Sequence, residues 1–412
     1  MRAFVSVVGL ALATSLAACG GGGAPSSAAA PAASTSPGSS APTTNPAFIL
    51  PTGFVSSTIA NVPSARELAA LPNGDLLVGT TSAQVYLVPN AEGAGAAGTP
   101  HVFITLPSGE GPANGVAISP DGSTIYVATE YHVYRTAYHS GDQTEPDASA
   151  QPIAAIRTGG IPANSDGDVH VTSSLAVGAT TVYVGVGSSC NACTEVDPTR
   201  ATIQAMGLAG TGMHTIARRI RNPIALAVNP SSGVLWAGGA GQDNLPYGHP
   251  YESVDAVTLQ SGSPVDYGWP ECEENRVAYV SSSNCASVAV PRVEFPAYAT
   301  HIGAAFYPSN PTGAYAFPAQ YRGGLFVASH GSWHCCPATS PGVAFVPMNG
   351  DTPRTPVDWS NPSAQWQPFL SGFGGSVNTS YLGRPTGIAV GAKGSLFVAD
   401  DHNGVIYRVR PG

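Results

Sequence analysis

The sequence predicts an all-β chain folded as a six-bladed β-propeller, and three observations carry that reading. The 412 residues include 49 Gly and 37 Pro, a density that forbids long helices and suits short strands joined by turns. One pattern recurs six times along the chain. Each copy is a pair of strands apolar on both faces, which cannot stand alone and must be buried by neighbours of its own kind.

The copies occupy residues 67–80, 115–130, 173–188, 224–240, 303–332 and 386–401. Each reads as a small-and-apolar strand, a turn rich in Pro, Asp, Asn or Gly, and an apolar strand ending in small residues. Radial stacking of six such units buries every face. Spacings of about 50 to 85 residues argue against a β-sandwich, whose strands repeat more regularly. Further strands follow the pairs at Gln84–Val88, Val133–Thr136 and Val405–Val409. The last blade then ends one strand short, and Phe54–Ile59 is expected to supply its fourth strand and close the ring. The propeller spans residues 47–412.

Ahead of it, residues 1–18 read as a secretory signal: Arg2, an apolar run from Phe4 to Ala13, then Leu16-Ala17-Ala18-Cys19. The run is too short for a membrane span, and the tetrad resembles a bacterial lipobox that lipidates Cys19. Residues 19–46 are a disordered tether of Gly, Ala, Pro, Ser and Thr. The expectation is an exported lipoprotein anchored in the membrane through Cys19, with Gly20 favouring the outer membrane and a periplasmic or cell-surface position.

A net charge of −9, with Lys393 the only lysine and no basic cluster, argues against nucleic acid as a partner. Six cysteines remain beyond Cys19, an even count that suits disulfides in an exported protein. Proximity favours Cys190–Cys193, Cys272–Cys285 and Cys335–Cys336. Two alternatives stay open: a redox dithiol at Cys190/Cys193, and a soft-metal site formed by Cys335 and Cys336 with His330 and His334.

The loop entering each inner strand of a propeller lies on one face around the axis. Those positions here are Arg66, Asn114, His170, Arg221, His301 and Arg384. Three Arg and two His converging on one axis would make a positive, hydrogen-bond-donating funnel suited to an anionic ligand. Between the fourth and fifth copies, Asp243 and nearby backbone carbonyls suit a hard cation such as Ca²⁺, and Trp269 is expected to pack over a turn.

At these residues the chain resembles the soluble quinoprotein glucose/sorbosone dehydrogenase family, most closely its sorbosone-dehydrogenase-like branch. The marks are Gly187-Ser188-Ser189-Cys190-Asn191-Ala192-Cys193, Ile220-Arg221-Asn222-Pro223, Asp266-Tyr267-Gly268-Trp269-Pro270, Ser329-His330-Gly331-Ser332-Trp333 and Arg384-Pro385-Thr386-Gly387-Ile388-Ala389-Val390. The resemblance implies pyrroloquinoline quinone (PQQ) and Ca²⁺ on one face, a sugar or sugar aldehyde as substrate, and a periplasmic electron acceptor. It makes His170 the general base, oriented by Asp168, and places Arg221, Asn222, Arg384 and Arg66 on the cofactor. Gly241 and Gln242 fall where backbone carbonyls bind calcium. The glucose-oxidising members place a Lys on PQQ where this chain has His330-Gly331, so that contact is either absent or made by His330 as a cofactor-binding residue. Val171-Thr172-Ser173-Ser174 lacks an Arg common in relatives. Two other classes fit less of the pattern. One is a quinone-free propeller that binds a carbohydrate or protein. The other is a calcium-dependent lactonase-type hydrolase, which needs Glu, Asp and Asn around an axial metal.

Overall fold

The computed structural model describes residues 43–44, 48–146, 150–157, 159–246, 248–259, 261–332, 339–375 and 381–412. The signal and most of the tether, lipidation at Cys19, and the Cys335–Cys336 pair lie outside the described residues. Within them, six antiparallel sheets stand around an axis, and the only helix is a single 3-10 turn, Ala319–Tyr321.

Blade one is built of Ala65–Ala70, Leu76–Thr80, Gln84–Val88 and His101–Thr105, in that order from the axis outward. Blade two follows with Gly115–Ile118, Thr124–Ala128, His132–Ala137 and Gln151–Ala155, and blade three with Ser173–Val177, Thr181–Val186, Thr202–Gly207 and His214–Arg218. Blade four has Pro223–Val228, Leu235–Gly239, Glu252–Ala256 and Val293–Phe295; blade five has His301–Phe306, Leu325–Ser329, Gly342–Val346 and Gln367–Leu370. The six innermost strands touch in a closed ring.

Blade six closes the circle as expected. Pro385–Val390, Leu396–Asp400 and Val405–Pro411 are completed by Phe54–Asn61, paired antiparallel from Phe54↔Pro411 to Asn61↔Val405. The closing strand carries Phe54 into an aromatic cluster, its ring 4.7 Å from Phe317 and 5.2 Å from Phe369. The two ends of the propeller are thus joined by a hydrogen-bonded ladder and by apolar burial.

Central strands such as Leu76–Thr80 are buried throughout, because neighbouring blades cover both faces. The small residues ending the second strands have a steric cause. A Cβ on Gly185 would collide with the Pro223 carbonyl oxygen of the next blade, and one on Gly239 with that of Asn222. In the turn of blade two, Gly122 adopts φ +72°, a conformation that favours glycine, and Asp121 accepts the Ser123 backbone N–H at 3.1 Å.

The inserts fall inside blade four. Residues 240–251 link its second and third strands, and residues 257–292 link the third and fourth. The longer insert sends Val265–Asp266 back to pair in parallel with His214–Arg218 of blade three. It also carries the Cys272–Cys285 disulfide. Cys190 and Cys193 form the second disulfide among the described residues.

Candidate active site

Inner strands begin, and second strands end, on the same face of the propeller, because adjacent strands are antiparallel. Two sets of residues therefore meet there. One opens the inner strands: Arg66, His170, Arg221 and Arg384. The other follows the second strands: Ser188 and Asn191 in blade three, Gly241 and Asp243 in blade four, His330 in blade five, Asp401 in blade six. Between them lies a cavity of about 620 Å³ lined by Arg66, His170, Asn191, Arg221, Asn222, Gly241, Asp243, Glu252, Tyr298, Thr300 and His330, among others.

His170 is held by one side of its ring. Nδ1 lies 2.9 Å from the Ser188 carbonyl and 2.9 Å from Ser188 Oγ. The Ser188 hydroxyl donates its own proton to the Cys190 carbonyl at 2.7 Å, so both Ser188 oxygens face Nδ1 as acceptors. That arrangement demands Nδ1–H and leaves Nε2 a bare lone pair. Burial, followed by the positive charge of Arg221, lowers the pKa of His170 to about 3. The imidazole is neutral at any physiological pH.

Asp168 does not orient this ring, contrary to expectation. Its carboxylate grips Arg200 through both oxygens and lies 3.5 Å from Arg157. These two buried arginines in turn clamp backbone: Arg157 donates to the His170 carbonyl, and Arg200 to the carbonyls of Ser188 (3.0 Å) and Gly187 (3.1 Å). Asp168 acts two bonds removed, as the counter-charge of the arginine pair.

Arg221 lines the cavity, yet all five of its N–H groups are engaged by protein. Nε reaches the Asn191 carbonyl at 3.1 Å, and Nη1 the carbonyls of Gly241 at 2.7 Å and Ala240 at 3.5 Å. Nη2 reaches Asn191 Oδ1 at 3.0 Å and Asp243 Oδ2 at 3.2 Å. Its neighbour Asn222 has a buried Oδ1 without a hydrogen-bond partner.

Across the cavity, Asp401 joins two predicted residues. It accepts from Arg66 Nη1 at 2.7 Å and pairs with His330 Nε2 at 2.9 Å. Arg66 Nε donates to Asn114 Oδ1 at 2.9 Å, which places Asn114 behind the wall. Burial first lowers the pKa of His330 to about 4, against the opposing pull of Asp401. Arg384 lies behind His330 rather than on the cavity: it donates to the carbonyls of His330 (2.9 Å) and Gly331 (3.0 Å) and stacks on Tyr381. His301 is fully buried, its ring centroid 4.2 Å from that of Phe295.

The expected positive funnel is consequently a set of compensated pairs. Its carboxylates come from loops after the second strands and from the blade-four insert, which an inspection of strand heads does not reach. Gly241 lines the cavity, and its N–H donates to Glu252 Oε2 at 3.0 Å. Gln242 is buried and is not part of the cavity lining; its side-chain amide donates to the Pro270 carbonyl at 2.9 Å and to Glu273. Burial raises Glu252 to about 8 and Glu273 to about 7. Trp269 is buried against the Cys190–Cys193 disulfide, and its Nε1 donates to the Asn191 carbonyl at 3.0 Å.

A family model described as TrAA12-like matches residues 246–411. Over that segment the chain is similar to TrAA12-like proteins. An uncharacterized protein of Borreliella burgdorferi is 26% identical over 232 residues, which are 55% of this chain and 56% of that protein; the match thus spans little more than half of the relative. Among solved structures, the family AA12 carbohydrate-active enzyme of Trichoderma reesei superposes with a TM-score of 0.70 at 19% identity, covering 89% of this chain and 98% of that one. The holo PQQ domain of pyranose dehydrogenase from Coprinopsis cinerea gives 0.68 at 18%, covering 88% and 97%. The soluble aldose sugar dehydrogenase of Escherichia coli, in its apo form, gives 0.58 at 17%, covering 87% and 100%. At these identities the likeness is one of fold.

Proposed function

We propose that the chain is a quinoprotein dehydrogenase that oxidises a sugar or sugar aldehyde with PQQ and Ca²⁺ held in the cavity. The observation that carries this reading is His170, neutral and with Nε2 bare, at a cavity that also presents Arg66, Arg221 and His330. The likeness in fold to a pyranose dehydrogenase PQQ domain and to an aldose sugar dehydrogenase supports it. So does the cavity volume, within the roughly 300–1,000 Å³ usual for small-molecule sites.

The residues present fit the group. The cations on the wall suit a tricarboxylate, and the partnerless Oδ1 of Asn222, an acceptor, suits a hydrogen-bond donor on the group rather than its carboxylates. Arg66, Arg221, Asn222 and His330 would hold PQQ, with Arg384 fixing the His330 backbone. Glu252, together with the Gly241 carbonyl and Asp243 that Arg221 now occupies, supplies the oxygens that would hold Ca²⁺, in exchange for those Arg221 contacts. When bound, the quinone supplies an electrophile that accepts hydride, and the cation supplies Lewis acidity. The protein's own task is the proton. His170 Nε2 takes it from the substrate hydroxyl while Ser188 retains Nδ1–H, and an anionic ligand beside Arg221 offsets the positive charge that depresses its basicity. We further propose that the chain is lipidated at Cys19, is membrane-anchored and passes electrons to a periplasmic acceptor.

A second reading has one observation in its favour. Arg221 spends every N–H on protein, and Asp401 occupies both Arg66 and His330. A cavity satisfied in this way also suits a quinone-free propeller that binds a carbohydrate or a protein segment. Calorimetric titration of residues 47–412 with PQQ and Ca²⁺, followed by addition of aldoses and a redox dye, separates the two. Calcium-dependent binding with dye bleaching is expected. A folded protein that binds no PQQ would leave the second reading standing.

A further inference from the structure

Asn191 spends every polar atom it has. Its backbone N–H donates to Asp166 Oδ2 at 3.0 Å, and its carbonyl accepts from Arg221 Nε at 3.1 Å and Trp269 Nε1 at 3.0 Å. Oδ1 accepts from Arg221 Nη2 at 3.0 Å and from the Asp243 backbone N–H at 2.8 Å, while Nδ2 donates to the Asp243 carbonyl at 3.0 Å. The side-chain amide thus pairs with Asp243 as a strand partner would, offering acceptor and donor together. Only the amides of Asn and Gln carry acceptor and donor on one carbon as a peptide group does, and Gln is one methylene longer.

We infer that Asn191 is a positioning residue, holding Arg221 and the 240–243 loop in the geometry that receives an anionic cofactor. It stands between Cys190 and Cys193, whose disulfide closes the loop. The preceding residues Ser188, Ser189 and Cys190 are buried. Glu195 ties the loop's base, its two oxygens accepting the Ser189 N–H and Oγ–H at 2.7 Å each. The amide is therefore presented from a constrained turn, and little ordering remains to be done when a ligand arrives. Arg221, with its in-plane donors taken, offers the cavity its charge and its flat face. Asn191 accepts two of those five N–H groups, so it sets which way that face is turned.

The inference rests on the quinone reading of the cavity, and the test separates the two. Amide hydrogen exchange at Asp243, PQQ titration in the presence of Ca²⁺ and thermal unfolding are measured for the wild type, Asn191→Ala and Asn191→Asp. In Asn191→Ala, Asp243 exchange should quicken at least about tenfold and PQQ should bind about ten- to a hundredfold more weakly, the usual worth of hydrogen bonds to a charged group. The unfolding midpoint should fall as well, because the variant leaves Arg221 Nη2 and the Asp243 N–H short of an acceptor in the free protein. Asn191→Asp keeps the side-chain acceptor but sets an anionic oxygen against the Asp243 carbonyl and adds a negative charge to the site. It should therefore quicken Asp243 exchange and weaken PQQ binding as the alanine variant does, and it carries the test if the alanine variant fails to fold. Unchanged Asp243 exchange, or exchange quickened with wild-type PQQ affinity, overturns the inference. A wild type that binds no PQQ sinks the quinone reading instead, and the exchange measurement still decides the role of Asn191.

Discussion

Replacing Asp168 by Asn tests where the support of His170 comes from. In the structure its carboxylate is shared by two guanidiniums, Arg200 through a two-oxygen grip and Arg157 at 3.5 Å, both with side chains only 3% exposed. Arg157 is already under strain of charge: burial, and then the neighbouring charge of Arg200, lower its pKa to about 10, and its Nε and Nη1 lack hydrogen-bond partners. Removing one member of a buried pair usually costs about 3–5 kcal/mol. Asp168 itself is 22% exposed, and solvent screening reduces the figure to about 2–3 kcal/mol. Asp168→Asn should therefore lower the free energy of urea unfolding, followed by tryptophan fluorescence, by that amount. Turnover at saturating cofactor and sugar should change by less than about tenfold, since Ser188 keeps the tautomer. The rival role, Asp168 as the group that orients the imidazole, predicts the opposite pair of results: unaltered unfolding, and a loss in kcat approaching about 10⁴, the size seen when a histidine is left in the wrong tautomer. Unaltered unfolding would refute the clamp.

The remaining predictions concern base, cofactor, burial and blade contact. His170→Ala should abolish turnover and leave PQQ affinity nearly intact, whereas Arg221→Ala should weaken PQQ binding itself; equal loss of binding in both variants would undo the division of roles. His301 titrates at about 3 because burial disfavours its charged form, below the usual value near 6.5. Its contribution to stability is complete above pH 6.5 and is lost as pH falls toward 3. Between pH 7 and 4.5 the stability advantage of wild type over His301→Gln should accordingly shrink by about 2–3 kcal/mol; a gap that is constant across urea melts at those pH values would show that His301 is not buried as described. Gly185→Ala should destabilise by at least about 2 kcal/mol, because its Cβ meets backbone of the next blade and backbone yields poorly. Gly160→Ala, whose nearest neighbour is the end of Val196 at 3.8 Å, is the matched control.

Much of this protein was legible in the order of its residues. Local alternation and turn chemistry marked the six strand pairs, and an unfinished last blade called for a partner that Phe54–Asn61 supplies. Proximity along the chain sufficed for the Cys190–Cys193 and Cys272–Cys285 pairings. Those features depend on near neighbours, or on a closure that leaves one candidate. Residues opening the inner strands were also found, since a strand head is visible as a polar residue before an apolar run: Arg66, His170 and Arg221 do line the cavity.

What the tertiary structure decided is how these residues are partnered. Ser188, Asn191, Asp243 and Asp401 reach the same face from the far ends of second strands, and only the antiparallel return of each hairpin brings them there. Nothing in the spacing of Asp168 and His170 reveals that two arginines, one from an outer connection and one beside the third strand of blade three, claim the carboxylate first. Charge counted along a chain carries no distances, and ion pairs are set by distances. The sequence alone therefore determined six blades and the residues that can stand at their mouth. The fold determined which of those cations are already spent on carboxylates, and that a serine carbonyl, not an aspartate, leaves His170 with its free lone pair.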